Sequence, residues 1–172
     1  MNALLTACLW FGFVWLLITY SKKTVGFDPR ANRQMIEKRA LYVSLLLCLM
    51  IIIVSTIGFG GFKPLVEFNG SLNRSILALF SRIVYYFAET ALIVLTIIFG
   101  QEFCKRQFSI RTNVPDGRFF LALTWGLMHF LLKGIAGGFY TMFFSIVSGI
   151  ISILFRKNSF ISFLVISVAF IL

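Results

Sequence analysis

An all-α, polytopic bundle of transmembrane helices, folded as a single domain over residues 1–172, is the fold class this sequence predicts, on three observations. Of 172 residues 59% are apolar, more than the interior of a soluble domain of this length can hide from water. The 22 charged side chains cluster between apolar runs instead of being spread along them. Most of those runs approach the roughly 20 residues a helix needs to cross about 30 Å of hydrocarbon. This composition excludes a disordered tail, a secreted disulfide scaffold and a nucleic-acid-binding module; the lipid bilayer is the expected surrounding.

Six membrane segments are expected, over 3–20, 41–60, 76–100, 119–133, 135–155 and 159–172. The first begins without a basic stretch, and its apolar run follows Cys8 instead of leading up to it. It therefore reads as an anchor and not as a removed signal or a lipidation site. Between the second and third segments, 60–75 reads as a loop, with Pro64, Asn69-Gly70 and two glycosylation-acceptor patterns beginning at Asn69 and Asn73. The fourth and sixth segments are short, which calls for little tilt, shielding by neighbours or local thinning of the bilayer. Gly134, Gly137 and Gly138, then Ser145, Ser148 and Gly149, are small enough to let neighbouring helices approach closely. Cys8, Cys48 and Cys104 are odd in number and widely spaced, so neither a disulfide framework nor a zinc spacing follows.

Orientation follows from the basic residues between segments. Lys22, Lys23, Arg30, Arg33, Lys38 and Arg39 follow the first segment. Lys105, Arg106, Arg111 and Arg118 follow the third, and Arg156 and Lys157 the fifth. The opposite side carries Lys63, Arg74 and Lys133, a ratio of twelve to three. The heavy loops are expected in the cytoplasm and both termini outside, in a multi-pass protein of the cell membrane. The net charge of +10 is thereby a matter of topology, with no nucleic acid involved.

An ionisable side chain in hydrocarbon costs on the order of 3 kcal/mol or more, so each is a candidate for function. Arg82 and Glu89 fall in the third segment, and His129, the only histidine, in the fourth. Counted from the cytoplasmic ends, Glu89 lies about 16 Å deep and His129 about 15 Å, at 1.5 Å per residue. A carboxylate and an imidazole at one level on consecutive antiparallel helices can hold a water between them, with the carboxylate as general base for attack on a carbonyl. Arg82, seven residues before Glu89, shares its helix face and extends a polar stripe with Tyr85, Tyr86 and Thr90. Read structurally, Arg82 reaches the headgroups while Glu89 and His129 are satisfied within the bundle.

Residues 121–129, LALTWGLMH, resemble the F-x-x-x-H helix of the CAAX protease and bacteriocin-processing (CPBP) family, with Trp125 at the aromatic position. Residues 87–90, FAET, resemble that family's E-E-x-x-x-R helix, with Thr90 in place of the second glutamate and Val94 in place of the arginine. Residues 148–159 resemble its small-residue helix, basic turn and last helix, whose histidine and asparagine fall near Ser167 and Ile171. A second register puts Gln101, Glu102 and Arg106 on the E-E-x-x-x-R spacing, but about 16 Å shallower than Glu89, so Glu102 and Arg106 are expected to form a solvated interfacial pair.

The resemblance spans 82–172. It implies an intramembrane endopeptidase acting on a peptide or membrane-protein substrate, with Glu89 and His129 as catalytic residues and Arg82, Thr90, Trp125 and Ser167 around the pocket. It implies access from the side of the basic loops. It also brings zinc into view, although this core offers two of the three protein ligands zinc ordinarily needs. The alternative it implies is a non-catalytic relative that serves bacteriocin immunity or binds a partner. A transporter, the third class, would ask for more polar groups along a path.

Overall fold

The computed structural model describes residues 3–31, 36–70, 76–108, 116–156 and 158–172. Among these every regular element is helical: α1 Ala3–Tyr20, α2 Lys38–Gly58, α3 Lys63–Gly70, α4 Ile76–Phe108, α5 Gly117–Leu121, α6 Leu127–Leu154 and α7 Ser159–Ile171. A π-helical turn, Ser21–Val25, prolongs α1, and another, Ala122–Gly126, joins α5 to α6. Among the described residues four helical stretches are long and apolar enough to cross a membrane, namely Ala3–Thr24, Lys38–Gly70, Ile76–Gln107 and Gly117–Leu154. The expected six are thus not all met by length, since α7 has only 13 residues.

The 117–154 stretch is not straight. Gly134 has φ 72° and ψ −170°, which no helix accommodates. A Cβ on Gly126 would lie 3.7 Å from the Met142 Cα, and one on Gly149 would lie 3.1 Å from the Arg118 Cα. In a continuous helix those pairs would be about 24 Å and about 46 Å apart. The chain therefore reverses at Gly134, and residues 117–133 and 135–154 form an antiparallel hairpin whose limbs touch backbone to backbone at glycines. Small residues suit such a contact in an apolar medium, where close van der Waals approach replaces the hydrophobic effect as the force between helices. At the tip, the conformation of Gly134 is one that side-chain-bearing residues rarely adopt. Gly134→Ala is expected to lower stability by about 1–2 kcal/mol, read as a fall in the thermal midpoint in detergent.

Helix α4 runs through the centre, packed against α1, the hairpin and α7, while α2 closes the far side against α6 and α7. Ile51, Ile93, Val94, Ile97, Phe144, Ile151 and Ile166 fill the space between them and are almost wholly buried. Outward faces carry large exposed apolar side chains, among them Trp15, Leu46, Ile57, Leu131 and Ile135. A continuous apolar exterior of this kind is out of place in water and fits contact with lipid.

Two segments differ from expectation. Helix α4 does not stop at Gly100 but continues for two turns, because Gln101, Glu102, Lys105 and Arg106 are good helix formers that solvent accepts. Within 60–75, expected to be a loop, α3 forms over Lys63–Gly70. Pro64 lies in its first turn, where no N–H is needed, and the Phe62 carbonyl accepts from the Leu65 and Val66 amides. Arg33, Arg74, Arg111 and Lys157, and Ser71 and residues 73–75 of the acceptor patterns, lie outside the described residues.

The bundle has two unlike ends. Lys22, Lys23, Arg30, Lys38, Lys105, Arg106, Arg118 and Arg156 gather at one, where Arg156 pairs with Glu37 and the side chain of Asn158 caps α7 by accepting from the Ile161 amide. The other end holds the α2–α3 turn, the hairpin tip and the last turn of α7.

Candidate functional site

A cavity of about 400 Å³ opens near that second end, between α2, α3, α4, the hairpin tip and α7. Glu89, Trp125 and His129 line it, joined by Lys63 and Glu67 from α3. Of the three ionisable groups singled out from the sequence, Glu89 and His129 thus line one space and Arg82 does not.

Trp125 ties them together. Its indole Nε1 donates to Glu89 Oε1 at 3.0 Å, fixing the first hairpin limb against α4. Its backbone carbonyl meets His129 Nδ1 at 2.8 Å, one turn along, and the two rings lie 4.5 Å apart. A carbonyl can only accept, so Nδ1 carries the hydrogen, and in the neutral ring Nε2 keeps its lone pair. The Trp125 ring is held from behind by Phe144 and Phe170, at centroid distances of 5.6 and 5.8 Å. Trp125 lies in the π-helical turn, whose extra residue per turn shifts the helix face it presents.

Arg82 does not extend the Glu89 stripe. Its guanidinium lies 3.9 Å from the Glu67 carboxylate and donates to the Glu67 carbonyl at 3.4 Å. Tyr86 also donates to the Glu67 carboxylate. Thr90 is buried and its hydroxyl donates to the Tyr86 carbonyl of its own helix, at 2.8 Å. Ser167 is buried on α7; neither it nor Thr90 lines the cavity. Glu102 and Arg106 form an i,i+4 pair at 2.8 Å near the basic end, far from the cavity. Such a pair contributes little, and Glu102→Gln is expected to change stability by less than about 0.5 kcal/mol and leave any cavity chemistry intact, as melting and activity measured side by side would check.

Sequence reasoning missed Lys63 and Glu67. Lys63, counted among the loop cations, is 3% exposed. Its ammonium donates to the Phe170 carbonyl at the end of α7 and stands 4.3 Å from the Tyr86 ring centroid and 4.4 Å from that of Phe170. The available signal was a lysine directly before a proline, after an apolar run and two glycines, where the chain turns back toward the bundle.

A zinc ion finds no suitable donor set. Among the described residues no three His, Cys, Asp or Glu side chains gather at one point, and the cavity offers His129, Glu89 and a Glu67 already engaged by Arg82 and Tyr86. The cavity instead brings a carboxylate, an imidazole and an ammonium into one lining. No family model, curated protein or solved structure matches this chain.

Proposed function

We propose that this chain is a multi-pass membrane hydrolase of the CPBP type, cleaving a peptide or membrane-protein substrate at the Glu89/His129 cavity. What carries the reading is that Glu89 and His129 line one cavity and that both are hydrogen-bonded to Trp125. In the reaction, a water oxygen bonds to the scissile carbonyl carbon while the carbonyl π pair moves onto its oxygen. The proton released by that water goes to Glu89, and His129 Nε2 accepts the water's second hydrogen bond and so aims it. Collapse of the tetrahedral species breaks the C–N bond, and the departing amine takes the proton from Glu89.

In this reading six segments cross the bilayer, with the hairpin limbs as the fourth and fifth and α7 as a short sixth, and both termini lie outside. The cavity then opens on the side away from the basic loops, so substrate arrives from outside and not, as the resemblance implies, from the cytoplasm. Purified protein in liposomes, given a pool of apolar peptides in H₂¹⁸O, should yield new C-termini carrying one ¹⁸O. No labelled product from the native protein, or equal product from Glu89→Gln and His129→Ala, rejects the proposal.

A second reading, a non-catalytic protein that binds a partner or confers bacteriocin immunity, is favoured by one observation. Thr90 and Ser167, at family positions where a glutamate and a histidine are usual, are both buried and neither lines the cavity. Cavity-dependent partner binding without any cleaved product is its signature.

A further inference from the structure

Water addition moves negative charge from Glu89 to the carbonyl oxygen, and a hydrolytic site needs a donor where that oxyanion forms. The groups described so far do not supply one. The His129 Nδ1 hydrogen goes to the Trp125 carbonyl, and the Trp125 indole N–H to Glu89. Arg82 is turned to Glu67, and the Thr90 hydroxyl to its own helix. Lys63 is different. It is nearly inaccessible from outside, lines the same cavity, and commits one of its three ammonium hydrogens to the Phe170 carbonyl. The Tyr86 and Phe170 rings flank the charge without neutralising it.

We propose that Lys63 is the anion-holding group of this cavity, its ammonium meeting the oxyanion that forms on the scissile carbonyl as water adds beside Glu89. The proposal rests on the hydrolase reading. It assigns the role to α3, a segment outside the membrane helices the sequence announces. A purely structural lysine would only cap the last carbonyls of α7, where a cation is favourable in any case.

The test separates these roles by binding, without needing turnover. The probe is a Phe-Leu phosphinate, an anionic tetrahedral mimic, compared with its neutral hydroxyethylene isostere on protein in nanodiscs. The native protein should bind the phosphinate at least tenfold more tightly than the isostere. Lys63→Met should erase that preference, Lys63→Arg should keep most of it, and Glu89→Gln should keep or raise it while abolishing ¹⁸O-labelled product.

No preference in the native protein overturns the proposal, even if Lys63→Met does not fold. Loss of preference in Lys133→Met or Tyr140→Phe, with Lys63→Met unchanged, also overturns it, by moving the role to another cavity group. A preference that depends on Lys63 in a protein yielding no labelled product overturns the oxyanion role and the hydrolase reading together, leaving an anion-binding site. Labelled product with no preference overturns only the role of Lys63.

Discussion

On the hydrolase proposal, Glu89→Gln is expected to lower the hydrolytic rate by about 10²–10⁴-fold while leaving the fold in place. The amide keeps an oxygen to accept from the Trp125 indole, so the register between α4 and the first hairpin limb survives. What disappears is the basicity that removes a proton from water, and the loss should fall on kcat with KM nearly unchanged. His129→Ala should lose less, because the imidazole aims the water without taking its proton. The double variant should be hardly worse than Glu89→Gln alone, since groups that act on one water are not additive. Trp125→Phe separates positioning from chemistry. It keeps an aromatic ring between Phe144 and Phe170 but removes the indole bond to Glu89, leaving that carboxylate to its Tyr85 partner, and should reduce kcat with KM nearly unchanged. Equal rates in native protein and Glu89→Gln would dismiss the carboxylate as base.

How far the sequence revealed this site depends on the range of the signals involved. The apolar runs were legible because bilayer thickness imposes a length, and the fourth and fifth segments were parted at 134, the residue at which the chain reverses. Glu89 and His129 were legible because charge in an apolar run is costly wherever the helices turn. The role of Trp125 was not, because a tryptophan in an apolar run reads as packing, and only the tertiary register brings its N–H to a carboxylate. Arg82 was placed by helix spacing on one polar stripe with Glu89, but Glu67 arrives from α3 and engages it. Lys63 and Glu67 stayed hidden for one reason: a segment of eight residues carries too little periodicity to announce a helix, and Pro64 and Asn69-Gly70 are local turn signals that outweigh it. The long tail of α4 escaped because polar residues mark the end of a membrane crossing, which is not the end of a helix.

Gly117→Ala is expected to be among the most damaging single-methyl changes in the chain, costing about 3 kcal/mol or more. A Cβ at this position would overlap the Ile97 carbonyl, and the atoms in the way are backbone, which no rotamer change can move. The contact sits where the hairpin leaves α4, and the Gly117 amide there donates to the Gln101 side chain at 3.2 Å. Eight residues further along the limb stands Trp125, and eight residues back along α4 stands Glu89, so the spacing from the clasp to the site is the same on both antiparallel helices. Pushing the limbs apart at Gly117 therefore strains the Trp125–Glu89 bond, and the variant should lose activity together with stability. Gly12→Ala is the fitting comparison, because a Cβ there meets nothing within 4 Å on the exposed side of α1. That variant should be neutral or gain up to about 1 kcal/mol from the better helix former. Melting curves of the two proteins in one detergent should move in opposite directions or leave Gly12→Ala unmoved. A Gly117→Ala protein with native melting and native turnover would mean that the clasp does not set the register at which Trp125 meets Glu89.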